Sequence, residues 1–144
     1  MNREIFMKMI LRVVALLVVS FCSLSGYAAE QSREETENVL SKVSDFSLGM
    51  NGFVGIGSVG ETELIRILTY QDAGDIFLRI AKNPQATPEA KLYAACGLKK
   101  LNNNNGEADF AQEWDKPVSV LKGDILRTEK FKEVYFNILK HGCW

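Results

Sequence analysis

Histidine and cysteine are scarce in this sequence, with one histidine and three cysteines among 144 residues. Histidine is the usual proton-transfer and metal-ligating side chain near pH 7, so a single copy removes most ways of building such a site. His141 and Cys143 could supply two metal ligands, and no third ligand lies near them in the sequence. We therefore expect no metal ion, no cofactor and no catalytic activity.

An excess of charge of one sign is also missing. The chain has 17 Lys and Arg against 18 Asp and Glu, and its formal net charge is -1. Residues 1–29 hold three positive charges and one negative charge, so the remaining chain carries about -3. This balance provides no basic surface for nucleic acid or for an anionic membrane. We expect no nucleic-acid partner.

Residues 1–29 have the layout of a secretory signal peptide. Three basic residues come first, and they are Arg3, Lys8 and Arg12. An apolar run from Val13 to Cys22 follows, and the small residues Ala28 and Ala29 offer two alternative cleavage sites. The run is shorter than the roughly 20 apolar residues that span a bilayer. We predict a periplasmic or secreted protein that touches the membrane only if the leader stays uncleaved or Cys22 is lipidated.

Removal of the leader would leave two cysteines, Cys96 and Cys143, in a single domain of residues 30–144. In an oxidising compartment, an even number of cysteines is typical of disulfide bonding. A Cys96–Cys143 disulfide would tie the C-terminal tail to a central helix. A bridge requires that the two Cα atoms approach within about 7 Å, and the sequence does not show this distance. The alternative is a buried thiol at Cys96 and an exposed thiol at Cys143.

Capping residues and apolar spacing predict a series of short helices. In chain order these run from Ser32 to about Val43, from Glu61 to Thr69 or Tyr70, from an Asp72 cap to Asn83, from a Thr87 cap to about Leu101, from Glu107 to Trp114, and from a Thr128 cap to a stop at Gly142. Within the second helix, Leu64, Ile65 and Leu68 are predicted to share one buried face. Short turns between such helices favour antiparallel neighbours.

Two segments lack helical spacing. The stretch Gly49–Gly60 is rich in glycine and is predicted to be a loop. Val118, Val120 and Ile125, with Gly123 between them, are compatible with one short strand or hairpin. The predicted fold class is therefore mainly α, with short antiparallel helical hairpins, a glycine-rich loop and at most one short strand or hairpin.

Part of the helical region carries a resemblance to known proteins. The segment Glu61–Leu101 resembles HEAT-like helical repeats. Within it, the stretch Leu92–Leu98, of sequence LYAACGL, is similar to the inner-helix pattern of small exported bacterial proteins of unknown function. The resemblance carries no active-site residues. It implies stacked helical hairpins and a role as a scaffold or binding protein.

Three patterns could carry chemistry, and each has a simpler structural explanation. Gly55, Gly57 and Gly60 have the spacing of a dinucleotide-binding fingerprint, but helices follow where that motif needs a strand–helix–strand unit. Cys96 could act as a nucleophile with His141 as its base, although its small neighbours favour close packing. Carboxylate pairs such as Asp109 with Glu113 are common on helical surfaces. A small envelope hydrolase using carboxylates or Cys96 remains the alternative function.

Large apolar side chains near loops point to a binding surface. Phe53, Val54 and Ile56 lie within the glycine-rich loop, and Trp114 ends a short helix. Exposed apolar and aromatic side chains of this kind are typical anchors of protein interfaces. These four residues form the candidate interface. We predict an exported protein–protein interaction module, either an immunity or inhibitor protein or an accessory protein of the cell envelope.

Overall fold

The computed structural model describes Met7 and residues 32–49 and 55–143. The predicted signal peptide over residues 1–29 therefore lies outside the described residues, apart from Met7. Phe53 and Val54 of the candidate interface lie outside them as well. The chain divides into two compact units, Met1–Glu35 and Thr36–Trp144, and the contacts described below all belong to the second.

The described chain is mainly helical and contains one small antiparallel sheet. Residues 32–41 are helical and are called α1. The elements that follow are α2 (Val59–Leu68), α3 (Ala73–Lys82), α4 (Pro88–Lys100), α5 (Glu107–Phe110), a 3₁₀ turn (Ala111–Glu113), β1 (Pro117–Lys122), β2 (Ile125–Lys130) and α6 (Phe131–His141). The mainly helical class predicted from the sequence is confirmed.

Local sequence signals determine where α3 ends and where α4 begins. Asn83 precedes Pro84, which disfavours helical geometry at Asn83, and α3 ends at Lys82. The Thr87 side chain accepts a hydrogen bond from the Ala90 N–H at 3.1 Å and so caps α4. Its hydroxyl also donates to the Val43 carbonyl oxygen at 2.6 Å. The predicted cap at Thr87 is confirmed, and it also joins α4 to the segment after α1.

The short sheet is a hairpin, and it corrects the predicted start of the last helix. Thr128 does not cap a helix, because it lies in β2 opposite Ser119. Gly123, with φ of 61°, allows the tight turn between the strands. Pairing with β1 keeps residues up to Lys130 extended, so α6 begins only at Phe131. A local capping signal at Thr128 is thus overridden by backbone pairing with a neighbouring strand.

Helix α4 lies at the centre of the core, and every residue from Glu89 to Leu98 is buried. Helix α3 packs closely on it, since the Phe77 ring lies over Gly97 where a Cβ atom would come within 2.3 Å of the ring. Two charged residues of the core are paired: Lys91 Nζ lies 2.8 Å from Glu113 Oε1, and both side chains are 5% exposed.

Two further predictions are settled by packing. The Cys96 and Cys143 sulfurs lie 2.03 Å apart and their Cα atoms 5.8 Å apart, so the disulfide is the one of the two alternatives that the structure contains. The predicted buried face of α2 is wrong in part. Leu64 and Ile67 are fully buried, whereas Ile65 is 51% exposed. The buried face therefore follows the positions directed at α4, which the spacing of apolar residues alone did not single out.

Candidate interface groove

An open groove of about 880 Å³ lies between the end of α1, the start of α2 and the turn of the hairpin. We call it the α1–α2 groove. Its lining combines apolar side chains and small residues, and consists of Val39, Lys42, Val43, Ser44, Asp45, Ile56, Gly57, Ser58, Val59, Gly60, Leu121, Gly123 and Asp124. The groove is thus built from three separate parts of the chain.

The helical geometry of α1 divides its side chains between the core and the groove. Leu40 is fully buried in the core, whereas its neighbour Val39 is 38% exposed and lines the groove. Consecutive helical residues point about 100° apart, so adjacent apolar residues must face different surroundings. Val43, which follows the end of α1, also lines the groove.

A buried tyrosine positions the wall formed by residues 56–60. The Tyr93 hydroxyl accepts a hydrogen bond from the Ser47 N–H at 2.8 Å and lies 2.9 Å from Ser58 Oγ. Ser58 is also the N-cap of α2, because its Oγ accepts from the Glu61 N–H at 3.0 Å. Burial is the main cause that raises the pKa of Tyr93 to about 12, so the phenol stays protonated. This network joins the segment after α1 to the start of α2.

Gly60 and Glu61 complete the same wall. A Cβ atom at Gly60 would lie 2.2 Å from the Tyr93 ring, so only glycine allows this close approach. Both carboxylate oxygens of Glu61 lie 3.0 Å from the Gly49 N–H and accept its hydrogen bond. The last two residues of the stretch Gly49–Gly60, which was predicted to be a loop, are helical, since α2 begins at Val59.

Of the predicted interface residues, Ile56 lies in the groove and Trp114 does not. Ile56 lines the groove and is 67% exposed. Trp114 is only half-buried, does not line the groove, and packs on Phe136 with ring centroids 6.0 Å apart. Lys132 Nζ lies 5.1 Å from the centre of the Trp114 ring. Trp114 is therefore partly covered by α6 and is not fully exposed.

Sequence reasoning missed Val39, Val59 and Leu121 as groove residues. Val39 and Leu121 were ordinary apolar positions in a predicted helix and strand, and nothing local separates groove-facing from core-facing valines. Val59 did carry a signal, since an apolar residue directly after Ser58, a capping residue type, occupies the first turn of a helix. Its exposure of 61% follows from its place at the helix start, ahead of the buried turn.

The chemistry available to the described residues is limited. No group of three or more His, Cys, Asp or Glu side chains that could hold a metal ion occurs within residues 32–49 and 55–143. Cys96 is bonded to Cys143 and offers no thiol nucleophile while the bridge stands. Glu113 is held by Lys91 and Lys116, which lower its pKa even though burial alone would raise it.

None of the described helices has the length and apolar character needed to cross a membrane.

Comparisons with protein families, with characterised proteins and with solved structures find no match to this chain. The α1–α2 groove itself is therefore the basis for a functional assignment. Most of the surface that lines it is apolar, and its charged residues are Lys42, Asp45 and Asp124.

Proposed function

We propose that this protein is an exported helical interaction module that binds a segment of a partner protein in the α1–α2 groove. The observation that carries this proposal is the convergence of Val39, Ile56 and Val59, which are 38%, 67% and 61% exposed. Apolar area left in water costs about 25 cal/mol per Å² relative to its burial. A partner that covers these side chains would recover that free energy.

The charges at the groove indicate the chemistry of the partner. Asp45 and Asp124 line it together with one basic residue, Lys42. A bound segment would therefore present apolar side chains to the floor and at least one basic group to the two carboxylates. An acidic segment would meet like charge at two of these three positions, which disfavours it.

Three features support export and a scaffold role. The predicted leader would direct the chain out of the cytoplasm, and the Cys96–Cys143 disulfide is of the kind that persists in an oxidising compartment. The five-residue connection between α3 and α4 supports a helical hairpin of the HEAT-like kind. We accordingly place the protein in the periplasm or outside the cell, as an immunity or inhibitor protein or an accessory protein of the envelope, acting by binding and not by catalysis.

Site-specific photocrosslinking in the source organism tests this assignment. A photoreactive amino acid placed at Ile56 should capture one protein, and the crosslinked peptide should be apolar with a basic residue. The matched control is Ile65 in α2, which is 51% exposed but does not line the groove. Equal capture of the same protein from Ile65 would contradict the assignment of the groove.

Substitution of Ile56 then measures how much the groove contributes to the affinity for the partner. Full burial of an isoleucine side chain is worth about 1.5–3 kcal/mol, so Ile56→Asp should weaken binding of the identified partner by about tenfold or more. Ile65→Asp should bind as the unmodified protein does. Unchanged affinity of Ile56→Asp, measured by calorimetry with the purified partner, would show that the partner binds elsewhere.

A further inference from the structure

The hairpin has one edge that no described residue pairs with. Strand β1 lies between β2 on one side and Phe46 on the other, where the Phe46 N–H donates to Ser119 O at 2.8 Å and Leu121 N–H donates to Phe46 O at 2.9 Å. The outer edge of β2 has no such neighbour among residues 32–49 and 55–143. An open strand edge is a template for pairing with another strand.

The backbone groups that face this edge can be identified from the register. Ser119 and Leu121 use their backbone groups toward Phe46, so they do not use them toward β2. Their partners in β2 are Thr128 and Leu126, which must therefore direct their own N–H and C=O groups away from β1. The pairing of Pro117, which has no N–H, with Lys130 fits the same alternation.

The charges along β2 are self-complementary about Thr128. If two copies of β2 meet antiparallel with Thr128 opposite Thr128, Arg127 of each copy faces Glu129 of the other. A two-fold axis at Arg127 or at Glu129 would instead place like charges directly opposite each other, which is destabilising. Neither Arg127 nor Glu129 forms an ion pair within 4.0 Å with another described residue. Both are therefore available to a second copy.

We propose that two copies of this protein associate through antiparallel pairing of their β2 strands, with the two-fold axis at Thr128. The outward N–H and C=O groups of Thr128 then bond reciprocally across the axis, and the two Arg127–Glu129 pairs fix the register. Leu126, which is 63% exposed, lies opposite the aliphatic stem of the partner's Lys130. This surface is distinct from the α1–α2 groove, so the inference does not depend on the proposed function.

The size of the paired surface sets the expected strength. A single short strand pair is at the small end of protein interfaces, so the dimer should be weak and dependent on concentration. The full chain, purified in the form in which it accumulates, should show a monomer–dimer equilibrium by analytical ultracentrifugation between micromolar and millimolar concentrations. Arg127→Glu should weaken association about tenfold or more, because it replaces two attractive pairs with two repulsive ones.

A charge swap and a crosslink make the register testable. The double variant Arg127→Glu with Glu129→Arg should restore association. Thr128→Cys should form a disulfide-linked dimer on mild oxidation, because the Cα atoms of a hydrogen-bonded antiparallel pair lie about 5.5 Å apart, within the range of about 4.4–6.8 Å that a disulfide spans. Asp124→Cys, at the exposed turn, is the control, since its two copies would lie about 26 Å apart along the paired strands.

The outcomes distinguish two roles for Arg127 and Glu129, which either hold two copies together or protect an open strand edge. Dimerisation that Arg127→Glu weakens, the double variant restores and Thr128→Cys traps supports the proposal. A strict monomer at millimolar concentration, with Thr128→Cys crosslinking no faster than Asp124→Cys, would overturn it and leave Arg127 and Glu129 as charges that protect an open edge. A dimer insensitive to Arg127→Glu would also overturn it, because another surface would then hold the copies together.

Discussion

The contact between α3 and α4 makes one substitution especially informative. Gly97 lies in the interior of α4, and a Cβ atom there would come within 2.3 Å of Phe77 Cε2 and 2.4 Å of Cζ. Phe77 is fully buried, so its ring cannot swing into solvent. Gly74 in α3 provides the contrast, because a Cβ atom there would meet its nearest neighbour, Asn103 Nδ2, at 3.5 Å.

Two effects of opposite sign determine the result for Gly97→Ala. Replacing glycine by alanine inside a helix normally stabilises it by about 0.5–1 kcal/mol. Forcing a methyl group into a tightly packed core costs about 1–3 kcal/mol, and the approach to the Phe77 ring favours the upper part of this range. We expect Gly97→Ala to lower the free energy of unfolding by about 1–2 kcal/mol. Gly74→Ala should leave it unchanged or raise it by about 0.5 kcal/mol.

Urea unfolding of the two variants, followed by circular dichroism, measures both changes. Thermal unfolding should show the same order, with a loss of about 4–8 °C in Tm for Gly97→Ala. In a Phe77→Leu background, which lacks the colliding ring atoms, the effect of Gly97→Ala should shrink or change sign. A Gly97→Ala variant as stable as Gly74→Ala would refute the close packing of α3 on α4.

Two further predictions concern the buried tyrosine and the disulfide. The pKa of Tyr93 is raised to about 12 in the folded protein against an ordinary value of about 10, so the stability it contributes is present below pH 10 and is lost as the pH rises from 10 to 12. Over that window the unmodified protein should lose about 2–3 kcal/mol more than Tyr93→Phe in pH-dependent urea unfolding, and parallel losses would show that Tyr93 does not titrate in this way. The Cys96–Cys143 bridge closes a loop with a sequence separation of 47, for which chain entropy predicts about 2–4 kcal/mol of stability. Cys96→Ser with Cys143→Ser should lose that amount in urea unfolding and become insensitive to reductant, whereas equal stability with and without reductant in the unmodified protein would contradict the bridge.

Short-range signals in the sequence were sufficient for most helices. Thr87 followed by a proline, and Asn83 before Pro84, act through steric and hydrogen-bonding effects within a few residues. Those effects operate in the same way in any tertiary setting, so the start of α4 and the end of α3 were predictable. The pairing of Cys96 with Cys143 was open from the sequence, because it depends on the distance between α4 and the segment after α6.

The hairpin shows where local signals fail. Thr128 has the residue type of a helix cap, yet its backbone pairs with β1 and stays extended. Trp114 has the type of an interface anchor, yet α6 packs against its ring. Thr128 and Trp114 could each play several roles by residue type. In both cases, contact with another segment of the chain decides which role the residue has.

The sequence by itself determined the mainly helical class, the cap of α4 and the shortage of groups for metal or acid–base chemistry, because each depends on residue type and near neighbours. Only the tertiary structure decided which apolar residues face the core and which, such as Val39 and Ile56, meet in the α1–α2 groove. It also decided that no described residue pairs with the outer edge of β2. Surfaces of this kind arise from long-range packing, which places residues side by side that the chain order separates.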